Sequence, residues 1–444
     1  MDRLPKILFL LIATAGIWGY GVVSHQFGLF PYPQLYALFT EARAGMGLVT
    51  DSIGATRPWW YQDLQGEDRT AVIHDADGIA PGLTLIAGMD ADNELMARGI
   101  DANGEKIHEW SIDWFEQWPD QSHLAENIRP KAKPGAQLHG LVFTDEGELV
   151  FNFSRFGMAR MDACSNVEWR LPERTHHSLH WDPARKSYRT SNLRMGAPST
   201  TRHPNLAKGF WDYTVMEVSA DGEVRRELSL VDLLADNGLA GLLYLSNIDN
   251  RQTRVTGDTL HVNDVEVFPE HLEPGVFEPG DVMVSIRNIN GIIVFDPETL
   301  EIEFQSLGTV LRQHDPDFID GNTISVFDNN NLRPASKNVH SRIVTIDASD
   351  GSIKTVFAGT PGEPFFTDIM GKHQWLANGN VLITESVPGR AFEISPDGDV
   401  QWEYFNLVQP GTVGLLSEAL RLPERFDAAW FEQRRQQCKA DSST

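Results

Sequence analysis

Apolar and polar residues alternate with a period of two over most of this chain, in short runs separated by Gly-, Asn- and Asp-containing turns. A turn flanked by two such runs predicts a β-hairpin. The clearest hairpins open on a histidine: His139 (HGLVFTDEGELVF), His177 (HSLHWDPARKSYRT), His261 (HVNDVEVF, then GDVMVSIRN), His314 (HDPDFIDGNTISVFDN) and His373 (HQWLANGNVLITES). A third alternating run and a second turn follow, as in ARMDACSNVEWR, GIIVFDPETLEIEF, SRIVTIDASDGSIKTVF and AFEISPDGDVQWEY. The unit is a small antiparallel sheet, and its repetition every ~40–50 residues predicts the blades of a β-propeller.

The spacing of the histidines shows where the repeat is regular. His139 and His177 are 38 positions apart, His261 and His314 are 53, and His314 and His373 are 59. The 84 positions from His177 to His261 have room for an extra blade. They divide better into the alternating YTVMEVSADGEVRREL and an insertion, because LVDLLADNGLAGLLYL has helical spacing. A first unit without the histidine spans Gly82–Trp110 (GLTLIAGMDADNELMARGIDANGEKIHEW), which brings the expected count to six blades. The first strand of each blade lines the central channel of a propeller, so one residue type at the start of successive first strands converges on the axis. Such a ring is a candidate site.

The flanks break the pattern. Arg3 and Lys6 precede an uncharged run from Ile7 to Val23, with Trp18, Tyr20, Phe27, Phe30 and Tyr32 around its far end. This predicts a spanning helix with its N-terminus in the cytoplasm and the β-domain on the other side. A cleaved signal peptide is the rival, with Ala13-Thr14-Ala15 as the small-residue site, but the apolar stretch before it is short. After Asn406, LLSEALRLPERFDAAWFEQRRQQC has apolar residues at helical spacing. The expected organisation is therefore all-β: an anchor or signal segment at 1–26, a linker at 27–78, a six-bladed β-propeller at 79–405 and a short helical tail at 406–444. Trp110, Trp114 and Trp118, four apart, predict a packed helical stripe.

Composition changes this picture little. With 444 residues and 41% hydrophobic content the chain can bury a large core. A formal net charge of −25 argues against nucleic acid or an anionic lipid surface as partner. Cys164 and Cys438 are the only cysteines: one disulfide and two free thiols are equally consistent with them, and they make no cysteine-based metal site.

The HVNDVEVF blade with GDVMVSIRNINGIIVFDPET, the QHDPDFIDGNTISVFDNNN segment followed by SRIVTID, and the paired THH before a strand together resemble the bacterial arylsulfotransferase family. The resemblance covers roughly 82–405. It implies an extracytoplasmic six-bladed propeller that moves a sulfuryl group from an aryl sulfate ester to a phenol, without a nucleotide donor and without a cofactor. Carried over by motif, His314 in QHD matches the histidine that becomes transiently sulfated, and Arg287 in SIRN the arginine that binds sulfuryl oxygens. His261 in HVN and His177, or its neighbour His176, match two further sulfate-contacting histidines. His139 and His373 share the phase of the ring and are candidate substrate contacts without a family role. The family's N-terminal β-domain and its disulfide near the nucleophile have no counterpart in this sequence, and the aromatic residues that stack the phenol are not identifiable.

The residues support that chemistry independently. An unprotonated imidazole is a competent nucleophile near neutral pH. A guanidinium is a planar, permanent cation suited to two sulfuryl oxygens. Asp315 adjoins His314, but strand neighbours point to opposite faces, so it is a poor candidate to orient that ring. Asn263, Asn288 and Asn329 fit turn or strand-end hydrogen bonding, and Asn329 is kept as a candidate substrate contact. Two rivals stand beside the transferase: a metal-dependent propeller hydrolase with a cation on the histidine ring, and a non-catalytic membrane-tethered platform. An arginine in the same funnel would repel a metal, and no metal is expected.

Overall fold

The structure, a computed structural model, describes residues 3–27, 29–30, 57–66, 68–195, 202–247, 255–331 and 339–441. Residues 1–59 and 60–444 form two compact units. In the first, Arg3–Phe27 is one continuous helix. Its stretch Pro5–Gln26, of 22 residues with mean hydropathy 1.9, is long and apolar enough to cross a membrane. At 1.5 Å per residue it reaches ~33 Å, close to the ~30 Å hydrocarbon thickness of a bilayer.

The described residues of the second unit form seven sheets of mostly antiparallel strands. Six have four or five strands and follow one another along the chain. The first holds Thr84–Met89, Leu95–Ile100 and Lys106–Trp110, and the second Leu138–Phe143, Leu149–Phe153, Gly157–Met161 and Val167–Leu171. The third holds Thr175–Asp182, Ser187–Met195, Leu206–Ser219 and Val224–Ser229, with Val255–Gly257 added in parallel. The fourth holds Val262–Val267, Val282–Ile286, Gly291–Phe295 and Ile302–Leu307. His314–Phe318, Thr323–Asp328, Arg342–Asp347 and Ile353–Ala358 form the fifth. Lys372–Trp375, Val381–Glu385, Arg390–Ile394 and Val400–Phe405 form the sixth, which Ala71–Ile73 extends at its outer edge. A small seventh sheet joins Tyr61–Asp63, Leu407–Gln409 and Thr412–Gly414.

The expected helical tail after Asn406 is only half correct. Leu416–Arg421 is a strand that pairs with Thr84–Met89 and becomes the inner strand of the first sheet. Its apolar residues looked helical because the strand is buried on both faces, which removes the alternation. The helix comes later, at Ala428–Asp441. Residues near both ends of this unit therefore share sheets, in the first, sixth and seventh alike. The inner strands touch in a closed order: Leu416–Arg421, Leu138–Phe143, Thr175–Asp182, Val262–Val267, His314–Phe318, Lys372–Trp375, and back to the start.

Apolar clusters fill the spaces between consecutive sheets. Met283, Ile292 and Val294 of the fourth pack against Ile324, Val326 and Val344 of the fifth. Leu382 and Trp402 of the sixth pack against Ile86, Met96 and Ala419 of the first. Middle strands are thus covered on both faces, which is why GIIVF carries no polar alternation. The predicted insertion is helical, at Leu230–Asp236 and Ala240–Asn247. The three tryptophans are buried, but Trp110 ends a strand and only Trp114 and Trp118 stack, 5.1 Å apart, across one short helix. Cys164 and Cys438 form a disulfide that ties the C-terminal helix to a turn of the second sheet.

Candidate active site

Four of the five in-phase histidines meet. His177 Nδ1 lies 2.9 Å from His139 Nε2, and His177 Nε2 lies 2.9 Å from His261 Nε2. The His314 ring is centred 6.2 Å from that of His177. They come from the second, third, fourth and fifth sheets, so only the assembled ring of strands brings them together. All four are buried.

A local irregularity lets these strand starts turn their side chains inward. Each of the four strands shifts register within its first residues. A left-handed residue sits beside or at the shift: Gly140, His177, His261 and Asp315, with φ of 87°, 59°, 55° and 49°. Bulges of this kind re-aim side chains near functional sites. In a regular strand His176 and His177 would face opposite ways. With His177 left-handed both rings enter the site, 4.5 Å apart, and His176 also lies against Tyr213 and His261.

Hydrogen bonds fix the tautomers. Asn329 donates Nδ2–H to the carbonyls of Thr367 and Met370, so its Oδ1 must face His314 Nδ1, 2.7 Å away. Nδ1 therefore carries the proton and Nε2 the lone pair, which accepts a 3.3 Å bond from the Met370 N–H. Burial first, then the Arg287 charge, push the His314 pKa down to about 3. The ring is neutral at physiological pH, with its lone pair on Nε2.

A second chain of bonds runs through the other rings. Tyr213 Oη–H donates to Asp258 Oδ1 at 2.8 Å, and His261 Nδ1–H donates to Asp258 Oδ2 at 2.5 Å. That leaves His261 Nε2 as acceptor for His177 Nε2–H, and His177 Nδ1 as acceptor for His139 Nε2–H. Burial lowers the pKa of His261 to about 4, against the opposing pull of Asp258. His139 and His177 are held well below the ordinary imidazole value, again mainly by burial.

Cations surround the cluster. The Arg287 charge acts on His314 and His176, and its own pKa falls to about 10 through burial and the neighbouring Arg312. The Asn288 side chain braces the site, with Oδ1 3.3 Å from the Arg287 guanidinium and Nδ2–H donated to the Asp258 carbonyl. Arg155 and Arg174 complete the positive rim. Arg155 Nε, Arg174 Nε and both ring nitrogens of His176 are buried without a hydrogen-bond partner among the described residues. Buried donors without partners are rare and call for a reason. Arg155, Arg174, Tyr213 and Asp258 were not identified in the sequence. One signal was present: Arg155 in FSRFG and Arg287 in SIRN both follow the second strand of their sheets.

His373 does not join the ring. It pairs with Ile383, two residues before the end of its second strand, the level that Pro316 holds opposite Val326 in the fifth sheet. The left-handed Met370 and Gly371 precede it by three and two residues instead of adjoining it. His373 therefore lies deeper, where Nδ1 is 3.0 Å from Asp315 Oδ2 and Nε2 is 3.4 Å from Asp317 Oδ2. Asp315, at the bulge, turns towards the sixth sheet and pairs with Lys372 at 2.6 Å. These groups line a cavity of about 420 Å³ with Asp264, Glu266 and Glu418.

A family model for arylsulfotransferase (ASST) matches residues 149–406. The chain belongs to that family. The arylsulfotransferase match contains His176, His177, His261, Arg287, His314, Asn329 and His373, while His139 and the closing strand at Glu418 fall outside it. No curated protein matches the sequence. Among solved structures, a protein of unknown function from Bacteroides caccae is similar at 12% identity, covering 76% of this chain and 98% of that one, with a TM-score of 0.47. Virginiamycin B lyase from Staphylococcus aureus is similar at 11% identity, covering 81% and 98%, with a TM-score of 0.37.

Proposed function

We propose that this chain is a membrane-anchored, six-bladed propeller that transfers a sulfuryl group from an aryl sulfate ester to a phenol through a sulfated His314. The observation that carries this reading is the tautomer of His314, a buried neutral imidazole with its lone pair on Nε2 among arginines. In the first half-reaction Nε2 attacks sulfur, the N–S bond forms, and the S–O(aryl) bond breaks with its electron pair on the phenolate oxygen. In the second, the acceptor oxygen attacks sulfur and the N–S pair returns to Nε2. Arg287, with Arg155 and Arg174, holds the sulfuryl oxygens, and fixed donors of this kind are each worth ~3–4 kcal/mol. The unpartnered donors of His176, Arg155 and Arg174 support an anion as the missing partner.

The proton balance favours the relay of His261, His177 and His139. The first phenolate takes a proton and the second phenol gives one back. A line of neutral imidazoles ending at Asp258 can lend that proton for the interval between half-reactions. Asn329 acts as a positioning residue, because a neutral acceptor on Nδ1–H suits a ring that gains positive character when sulfated. A cation on the histidine ring, as the hydrolase alternative requires, would meet the same arginines. The helix Pro5–Gln26 and the disulfide support placement of the β-unit on the oxidising, extracytoplasmic side of the membrane.

The test uses the full chain in detergent with nitrophenyl sulfate as donor and a panel of phenols. Expected are phenol-dependent release of nitrophenol with ping-pong kinetics, and one added sulfo group on the peptide containing His314 when donor is supplied alone. His314→Ala should abolish both. Transfer that survives in His314→Ala, or a folded wild type that neither transfers nor labels, would overturn the reading.

A further inference from the structure

Beyond the histidines, the same inner strands carry a second cluster that the proposed chemistry does not use. Asp315, Asp317 and His373 present ligand atoms that all lie within 4.8 Å of one another. His373 is held as metal-binding histidines usually are. Trp375 Nε1–H donates to Ser325 Oγ at 3.0 Å, so the Ser325 hydroxyl is free to donate to His373 Nε2, 2.7 Å away. Nδ1–H in turn donates to Asp315 Oδ2. The carboxylate on Nδ1–H is the support that fixes a histidine ligand, and an ion seated between Nε2 and Asp317 Oδ2, 3.4 Å apart, would take the lone pair that now accepts the Ser325 hydroxyl.

The surroundings are short of positive charge. Asp264, Glu266, Asp315, Asp317 and Glu418 line the cavity, and Lys372 is the single ammonium or guanidinium group among the lining residues. Lys372 is engaged with Asp315 Oδ1. Glu418 is the independent sign that something is missing. Its side chain is more than nine-tenths buried, it lines this cavity, and among the described residues it has no hydrogen bond and no ion pair. A buried carboxylate without a partner is costly unless a proton or a cation joins it.

We propose that Asp317 and His373, closed by Asp315, bind a divalent first-row transition-metal ion, Mn²⁺ or Zn²⁺, with Glu418 and Glu266 facing it across the cavity. One imidazole among carboxylates suits these ions better than the oxygen-only coordination preferred by Mg²⁺ or Ca²⁺. The ion would tie the fifth and sixth sheets to the closing strand Leu416–Arg421, which supplies Glu418, and so pin the ring where that strand closes it. It would also hold the strand on which His314 and Asp315 are neighbours. The proposal does not depend on the sulfuryl chemistry.

The experiment strips the detergent-solubilised full chain with chelator, adds MnCl₂ or ZnCl₂ with CaCl₂ as control, and measures metal retained after desalting together with thermal unfolding. Expected is one Mn²⁺ or Zn²⁺ retained per chain and a Tm raised by about 4 °C at a hundredfold excess over Kd. Asp317→Asn and His373→Gln should each lose both effects, and Glu418→Gln should weaken retention roughly 10–100-fold. Where a variant fails to fold, Mn²⁺ resonance or X-ray absorption on wild type decides, by showing one nitrogen ligand among oxygens. No stoichiometric retention and no Tm shift in wild type would overturn the proposal, since protons and Lys372 would then satisfy the carboxylates. Retention undiminished in a folded Asp317→Asn, or coordination by several nitrogens, would overturn it by placing the ion elsewhere.

Discussion

Two levels of the same inner strands differ sharply in charge. Where the strands begin, His139, His177, His261 and His314 meet beneath Arg155, Arg174 and Arg287. One to five residues further along, the same strands place Asp264, Glu266, Asp315 and Asp317 around Lys372. Burial favours the neutral form at both levels, and so moves the pKa values in opposite directions. It lowers the histidines, whereas it raises Asp264 to about 6 and Glu418 to about 8. A low-dielectric ring of strands penalises any uncompensated charge, so each level is poised for a ligand of the opposite sign to its fixed groups. The first is suited to an anion and the second to a cation.

The largest expected break of this contrast is at Arg287. Arg287→Ala should lower kcat/KM for sulfuryl transfer ~10²–10³-fold, whereas Asp317→Asn at the acidic level should leave it within a few-fold. Steady-state kinetics on both variants checks this. Next is Asn329→Leu, which frees His314 to place its proton on Nε2 and should cost ~10–100-fold in kcat with little change in KM. Imidazole nitrogen shifts in labelled protein would report the tautomer directly.

The pH dependence of stability separates the two levels by sign. In the metal-free chain the folded state keeps a proton on Glu418 between the ordinary 4.5 and about 8. That contribution is fully present below 4.5 and is lost as pH rises through about 8, at up to ~1.4 kcal/mol per pH unit. The histidines behave oppositely: His314 and His261, lowered to about 3 and about 4, contribute stability above 6.5 that is lost as pH falls towards those values. Denaturant titrations across this range should therefore show losses on both sides, and Glu418→Gln should shrink the alkaline one, which Asp264 shares, and leave the acid one unchanged. An unchanged alkaline limb in that variant would refute the assignment. The smallest effect is expected at the far end of the relay, where His139→Gln keeps a donor to His177 and should slow transfer only a few-fold, seen as a shift in the pH–rate profile.

The contrast also explains what could be read in advance. The hairpin turns, the helical insertion after the third sheet and the shared phase of the histidines were visible because period-two patterning and turn residues are local properties. The closing strand Leu416–Arg421 was missed because burial on both faces erases its alternation. The phase of His373 points to the ring, yet its left-handed residues fall two and three positions earlier and His373 sits at the acidic level. Asp258 and Tyr213 carried no motif, and their role exists only through contacts with His261 across long separations.

From the sequence alone came the repeating antiparallel unit, the apolar N-terminal helix and the family to which the chain belongs, along with the histidines and arginine that could do its chemistry. Which histidines meet, which nitrogen of His314 carries the proton, and which carboxylates gather below were decided by tertiary structure. The reason is geometric. Hydrophobic periodicity specifies how a strand lies in its own sheet, but side chains from different sheets converge only after the inner strands close into a ring, at heights set by bulges that a two-residue period does not encode.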